Sequence, residues 1–432
     1  MYKPQMYAMV GTALVCAFFA LPASAESQAR IVRLSDVQGT VQIDKNAGLG
    51  FERAFANLPI TQGTQLRTGE NGRSEVEFED GSTLRITPNT TVAFGKLGLS
   101  DAGKRISAVD LLEGKAYVNW LGKSGDELTL NFSREKVDLT QAAHFRVAIS
   151  SSMAEIASFK HEVEVVGPSN TTKVGKKKMV AFDLHDNDSP ALAKNFEEDP
   201  YDQWDKQALE YHDQYSKNNS TPYGYGYSDL NYYGGYSNIA GYGTLWQPYF
   251  AGVGWNPFMD GAWSWYPGMG FMWASAYPWG WMPYYYGNWM FVPGFGWGWQ
   301  PGSFNTWRGG IHYVGAAAGF HPPVAPTRTV GTVVVGRGAP LGTKVPAMGT
   351  VVTGRSAGLG IPRGSVGNLH QLNTQLAKTG SVQLHAAPAF AASSHVGGYS
   401  HSAAAHSTGT VGRMSAGAPA HTSSAPAHSG HK

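Results

Sequence analysis

Glu75-Val76-Glu77-Phe78-Glu79-Asp80-Gly81-Ser82-Thr83-Leu84-Arg85-Ile86-Thr87-Pro88-Asn89 decides how the first half of this chain folds. Val76 and Phe78 alternate with Glu75, Glu77 and Glu79, the two-residue period of a strand. Asp80-Gly81 interrupts before Leu84 and Ile86 resume, and Asp-Gly between alternating runs signals a hairpin, because type I′ turns need positive φ. The same pattern extends both ways. Leu34, Val37, Val41 and Ile43 frame a strand pair around Gly39. Further alternation runs through Ala116-Tyr117-Val118-Asn119-Trp120, Phe145-Arg146-Val147 and Val163-Glu164-Val165. Turn residues recur every ~10–15 positions, so residues 30–185 are expected to form an all-β sandwich or roll.

These residues also carry a family resemblance. Leu66-Arg67-Thr68-Gly69, Asn71-Gly72-Arg73, Phe78-Glu79-Asp80-Gly81-Ser82-Thr83-Leu84 and Thr87-Pro88-Asn89-Thr90 look like the FecR-type domain. Leu111-Leu112-Glu113-Gly114-Lys115-Ala116-Tyr117-Val118 resembles its leucine-glutamate-glycine strand, and His144-Phe145-Arg146-Val147 its late strand. The resemblance spans roughly residues 32–183. The family is known from membrane-spanning regulators that pass an outer-membrane transport signal to a cytoplasmic sigma factor. It therefore implies a β domain outside the cytoplasm and, as an alternative function, an extracytoplasmic signalling regulator. It implies no catalytic residues. This chain departs from the regulators' plan, because only seven residues precede its first apolar run.

That run, Ala8 to Leu21, is followed by Pro22 and Ala23-Ser24-Ala25, with small residues where a signal peptidase reads. At ~14 residues it is shorter than the ~20 a bilayer needs, so residues 1–25 read as a cleaved signal peptide. The expected localisation is exported, periplasmic or cell-surface, with cleavage near Ala25 and no transmembrane helix in the mature chain. Cys16, the single cysteine, falls inside the signal. Disulfide scaffolds, Cys-based zinc sites and thiol chemistry are thereby excluded.

Residues 186–240 read as an acidic helix and a Tyr/Gly-rich linker. Asp199-Pro200 suits a helix start. Trp204, Ala208, Tyr211 and Tyr215 then fall on one helical face, and Tyr223–Tyr242 reads as a loop. Residues 241–310 hold a repeat. Gly254-Trp255-Asn256-Pro257-Phe258 recurs as Gly280-Trp281-Met282-Pro283-Tyr284, and Pro267-Gly268-Met269-Gly270 as Pro293-Gly294-Phe295-Gly296. The period is 26 residues, and a partial earlier copy (Gly241-Tyr242-Gly243, then Trp246) carries a one-residue slip. Each unit reads as two short strands. Trp263/Trp265 share a face with Phe271/Trp273, and Trp289/Phe291 with Trp297/Trp299. Type II geometry at Gly268 and Gly294 would splay a two-residue hairpin, so a four-residue connection is expected. With the helix before it, this segment resembles the C-terminal half of a group of exported FecR-domain proteins.

The candidate binding surface is aromatic: Trp255, Trp263, Trp265, Trp273, Trp281, Trp289, Trp297 and Trp299. Indole faces could stack on sugar rings; the competing reading makes these rings the core of a small β module. Glycoside hydrolysis usually needs paired carboxylates, and Asp260 is the only charged residue between Leu230 and Trp307. No enzyme is expected.

Residues 311–432 hold eight Lys/Arg and no acid, so the net +2 conceals an acidic body and a cationic tail. Rich in Gly, Ala, Ser and His, this tail reads as disordered. Gly354-Arg355-Ser356-Ala357-Gly358 mimics a nucleophile elbow, but its internal repeat places Gly338 where Ser356 stands. The tail histidines, among them His395, His401, His406, His421, His428 and His431, are irregularly spaced without carboxylates. No metal or cofactor is expected.

The sequence thus predicts a mainly β protein. A FecR-like sandwich or roll precedes a short helix, a small aromatic β-repeat module and a disordered C-terminal tail. The function expected is a non-enzymatic envelope protein, a binding or structural module for envelope polysaccharide or a protein partner. The basic tail would contact anionic surfaces, and nucleic acid is not expected as a partner.

Overall fold

The computed structural model describes residues 30–384, apart from 124, 186–189, 194–196, 218, 220, 303, 305–306, 329–330, 337–349, 353–355 and 380–381. The expected signal peptide, residues 1–25, and the tail from 385 onward lie outside the described residues. Among those described, no helix is long and apolar enough to cross a membrane.

The first half is a 17-stranded sheet that begins at Val32–Gln38. Its hinge is the 16-residue strand Arg105–Trp120. The first part of that strand pairs with Thr91–Leu99 and, in parallel, with Glu127–Phe132. The second part pairs with Thr83–Ile86 and Ala143–Ile149. A strand that switches partners at a bend turns one sheet into two facing layers. The switch falls at Gly114, where φ is +85° and a Cβ would lie 2.4 Å from the Asn89 carbonyl oxygen, so only glycine fits. Val76, Phe78, Leu84 and Ile86 all point into the resulting core, as their alternation requires.

The Asp80-Gly81 hairpin is wider than a type I′ turn. Phe78 and Ser82 bracket it, with hydrogen bonds Phe78 N–H to Ser82 O (2.8 Å) and Gly81 N–H to Phe78 O (2.9 Å). Gly81 has positive φ and Asp80 does not, the form of a three-residue loop with a glycine bulge. The Asp80 carboxylate accepts the Ser82 N–H at 2.9 Å, which fixes the loop.

Helix α1 (Asp202–Tyr215) buries Trp204, Ala208 and Tyr211, the face its spacing specifies. It starts at Asp202; Asp199 instead caps the turn before it by accepting the Tyr201 N–H. Tyr117 and Arg146 of the β body bind Asp202 at 2.8 and 2.6 Å, docking the helix on the sheet.

The expected loop over Tyr223–Tyr242 is replaced by helix α2 (Tyr227–Tyr233) and the strand Gly234–Ile239. That strand opens the first of three equivalent hairpins. Gly234–Ile239 pairs with Gly243–Pro248, Gly261–Tyr266 with Gly270–Ser275, and Asn288–Val292 with Gly296–Gln300. Short helix α3 (Met282–Tyr285) precedes the third. Each connection has three residues, not four, because Gly243, Gly270 and Gly296 follow it at positive φ and reverse the splay of the turn. Trp246, Trp273 and Trp299 occupy the same place in each hairpin and are fully buried. Each packs over a glycine at the hairpin's start. Built Cβ atoms at Gly234, Gly261 and Gly287 would lie 2.3, 2.4 and 2.8 Å from those indoles.

The expectation of an unpacked tail from 311 is corrected over part of its length. Thr332–Val335 adds a strand to Gly261–Tyr266. Ile361 and Leu369 join the aromatic core, Leu369 opening helix α4 (Leu369–Thr379). The Tyr233 hydroxyl donates to the Ile361 carbonyl at 2.6 Å. Apolar residues spaced through a Gly-rich stretch suffice to hold it once a preformed aromatic surface lies beside it.

Candidate functional site

Strand alternation puts Arg33, Glu75, Glu77 and Arg85 on the sheet face opposite the core. Register sets Arg33 across from Glu77 and Glu75 across from Arg85. Helices α1 and α2 and the segment around Arg363 bind this face, leaving all four groups at most 2% exposed. Buried charges must be paired, and these are. The Arg33 guanidinium donates to Glu77 (2.8 Å), Asp229 (2.6 Å), the Pro278 carbonyl (2.7 Å) and twice to Asn57 Oδ1. All five of its N–H groups are thereby used. Asn57 in turn donates to the carbonyls of Ser275 and Tyr277 at 3.0 and 2.7 Å. Two side chains of the first domain thus grip the second aromatic hairpin.

Glu75 is the hub. Its oxygens accept from Ser35 (2.7 Å), Arg85 (2.7 Å), Arg363 (2.8 Å) and His212 Nε2 (3.0 Å). Arg85 also reaches Asp205, whose second oxygen meets His144 Nε2 at 2.7 Å. Asp229 accepts from Tyr211, Arg33 and Arg363. Burial would raise the Glu75 pKa, but His212, Arg85 and Arg363 hold it well below the ordinary value. Asp229 is likewise lowered against burial, by Arg363 and Arg33. Burial would depress His212, yet Glu75 and Glu77 keep it above its usual value. Beside this cluster, bordered by Asp36, Glu75, His212 and Arg363, is a cavity of about 60 Å³. It has room for a few waters.

A larger cavity, about 560 Å³, opens in the aromatic half. Residues 251–256, the turn into Trp297 and residues 317–320 border it, and no charged side chain lines it. Trp255 and Trp297 are buried in its walls, while Phe291, Phe295 and Phe320 are half-buried. Trp297 is fixed edge-on by Phe320, with ring centroids 4.8 Å apart, and by Phe291 at 5.8 Å.

The eight tryptophans of the expected binding surface do not form an exposed platform. Trp273, Trp281, Trp289 and Trp299 are fully buried, Trp255, Trp263 and Trp297 nearly so, and Trp265 half-buried. Trp263 stands opposite Trp273, and Trp289 opposite Trp299, as cross-strand pairs. A sheet this poor in aliphatics makes its core from such pairs. Only Trp255 and Trp297 of the eight border the cleft. Sequence reasoning missed Arg33, Glu75, Arg85, Asp205, Asp229 and Arg363 as a group, and missed Phe291, Phe295 and Phe320 as cleft residues. Among the described residues, no group of three or more His, Cys, Asp or Glu could hold a metal ion. The six tail histidines named above lie outside them.

Residues 64–164 match the FecR protein family, and residues 227–322 match a family of unknown function, DUF6600. The chain thus carries a FecR domain and, behind it, a second, aromatic domain. The second match begins at α2 and takes in all three hairpins. No curated protein matches the chain in sequence. Among solved structures, two crystal structures of a "putative anti-sigma factor" from Parabacteroides distasonis are similar at 17% identity and a TM-score of 0.28. They cover 32% of this chain and 63% of their own, so this chain spans under two thirds of that protein.

Proposed function

We propose that this protein is a non-enzymatic, exported binding module of the cell envelope. Its FecR and aromatic domains act as one body, and the neutral cleft receives the envelope partner. One observation carries this reading: titratable groups and open space lie in different places. Glu75, Glu77, Asp205 and Asp229, with His144 and His212, form one cluster committed to arginines, beside a cavity of about 60 Å³. The roomier cleft, about 560 Å³, has no acid, base or nucleophile in its lining. Acid–base catalysis needs a tuned group within hydrogen-bond reach of the substrate, whereas binding needs shape and a few placed polar atoms.

The test is co-sedimentation of the full chain with isolated envelope material, with intact mass of the exported protein as its companion. Binding, together with a mature N-terminus near Glu26, is the expected result. A soluble fraction unchanged by any envelope material would overturn it. The FecR match favours a second reading, a signalling regulator. That reading predicts an uncleaved N-terminus and altered transcription when the gene is deleted.

A further inference from the structure

The geometry points to the cleft as a site for a neutral saccharide. This assignment rests on the binding-module reading and gives its site a ligand class.

Charge narrows the class first. With no Lys, Arg, Asp or Glu in the lining, a charged ligand would lose its hydration and gain no counter-charge. The ligand is uncharged. The rings narrow it further. Phe295 projects from the turn at Val292–Gly296 and Phe320 stands against Trp297, so flat apolar faces border the space at fixed angles. Such surfaces bind the C–H faces of a ring without paying to order themselves.

Two amides supply the polar part, and both are oriented. Gln247 donates to the carbonyls of Phe295 and Trp297 at 3.2 and 3.0 Å, which leaves its own carbonyl oxygen as an acceptor. Asn256 accepts the Phe258 N–H on Oδ1 at 3.0 Å, which leaves its NH₂ as a donor. One fixed acceptor and one fixed donor suit hydroxyl groups, which both donate and accept. Glycine extends this polarity to the main chain. Built Cβ atoms at Gly254, Gly294 and Gly319 would meet nothing within 4 Å, so a ligand can approach the bare backbone there.

The repeat provides an internal comparison. Asn256 is half-buried at the cleft, while its counterpart in the next copy is Met282, fully buried. The fold accepts an apolar residue at this position, so the amide belongs to the cleft and not to the repeat. A peptide added as a strand does not fit the same place. Gly243–Pro248, which carries Gln247, is paired on both sides, by Gly234–Ile239 and by Gly296–Gln300.

The test is calorimetric titration of the full chain with short neutral oligomers of glucose, mannose and N-acetylglucosamine. Polygalacturonate and a proline-rich peptide serve as comparators. One neutral series should bind one-to-one. Phe295→Ala and Ala318→Trp should each weaken it about tenfold or more, and Asn256→Met should weaken it as well. The unfolding midpoints of these variants should stay at the parent value, which separates lost binding from lost fold. No binding by any neutral series, binding indifferent to all three substitutions, or preference for either comparator would overturn the saccharide assignment. Co-sedimentation with envelope material that survives Phe295→Ala would overturn it, together with the placing of the envelope partner in the cleft, while leaving standing the reading of the protein as an envelope-binding module.

Discussion

Replacing Arg363 with alanine removes a guanidinium that is 9% exposed and holds two buried acids. It donates to Glu75 at 2.8 Å, Asp229 at 2.6 Å and the Ser35 carbonyl at 2.8 Å. Removing one partner of a buried ion pair typically costs about 3–5 kcal/mol, because the other charge stays buried without compensation. Here compensation is partial. Glu75 keeps Arg85 and His212, and Asp229 keeps Arg33 and Tyr211. The lower end applies, about 3 kcal/mol. With a guanidinium m-value of about 6 kcal/mol/M, that moves the unfolding midpoint down by about 0.5 M. The assay is equilibrium unfolding of the full chain, followed by Trp emission and far-UV circular dichroism. Asp229→Asn supplies the other edge of a double-mutant cycle, and the two substitutions should be strongly non-additive. Ending the chain at residue 355 should cost at least as much, since it also removes Ile361 and Leu369 from the core. An Arg363→Ala midpoint within about 0.1 M of the parent, with additive energies in the cycle, would refute the reasoning: it would mean that Arg363 does not occupy this network in solution.

The network also fixes a pH dependence. His212 is raised, so its contribution is complete below the unfolded-state value of about 6.5 and is lost as pH rises through the folded value. Glu75 and Asp229 are lowered, so theirs is present above about 4 and lost as pH falls through their folded values. Unfolding midpoints against pH should therefore fall on both sides of a plateau, and His212→Gln should flatten the alkaline limb and also shrink the acid limb, because His212 helps hold Glu75 down. Asn57→Ala deprives Arg33 of two acceptor contacts and should cost about 2–3 kcal/mol by the same assay, as for hydrogen bonds to a charged group. Gly261→Ala forces a Cβ to within 2.4 Å of Trp273; it should destabilise by about 1–3 kcal/mol, whereas Gly268→Ala should cost only the strain of its positive φ.

The strands and hairpins were legible because each depends on residues near one another in the chain. Val76 and Phe78 announce their face, and Trp263, Trp273, Trp289 and Trp299 announce their pairs. Even the one-residue slip survives as geometry, with Trp246, Trp273 and Trp299 in equivalent places. The turns were less legible, because a glycine after the connection changes what Pro-Gly can do, as Gly270 does after Pro267-Gly268. Arg363 was illegible for a different reason. Its partner Glu75 lies 288 residues away, and nothing in Gly360-Ile361-Pro362-Arg363-Gly364 marks a buried cation. Glu75 and Glu77 fell between these cases. Their alternation with Val76 and Phe78 assigns them to the second face of the sheet, and only the covering elements determine whether that face is wet.

What covers it explains why the contact is ionic. Apolar groups of similar volume would hold the domains as strongly or more so, since burying charge costs desolvation that pairing only repays. Apolar contact is also non-directional, and the surfaces meeting here are rich in interchangeable aromatic rings. An interface of that kind has many near-equivalent dockings. Arg33 removes them: its five donors are satisfied only when Glu77, Asn57, Asp229 and the Pro278 carbonyl converge on it together. Any slipped arrangement strands a buried guanidinium, and Glu75 imposes the same condition on Arg85, His212 and Arg363. The acids that composition places in the body and the cation it places in the tail are two halves of one lock. Its geometry holds the FecR sheet, helices α1 and α2 and residue 363 in a single register.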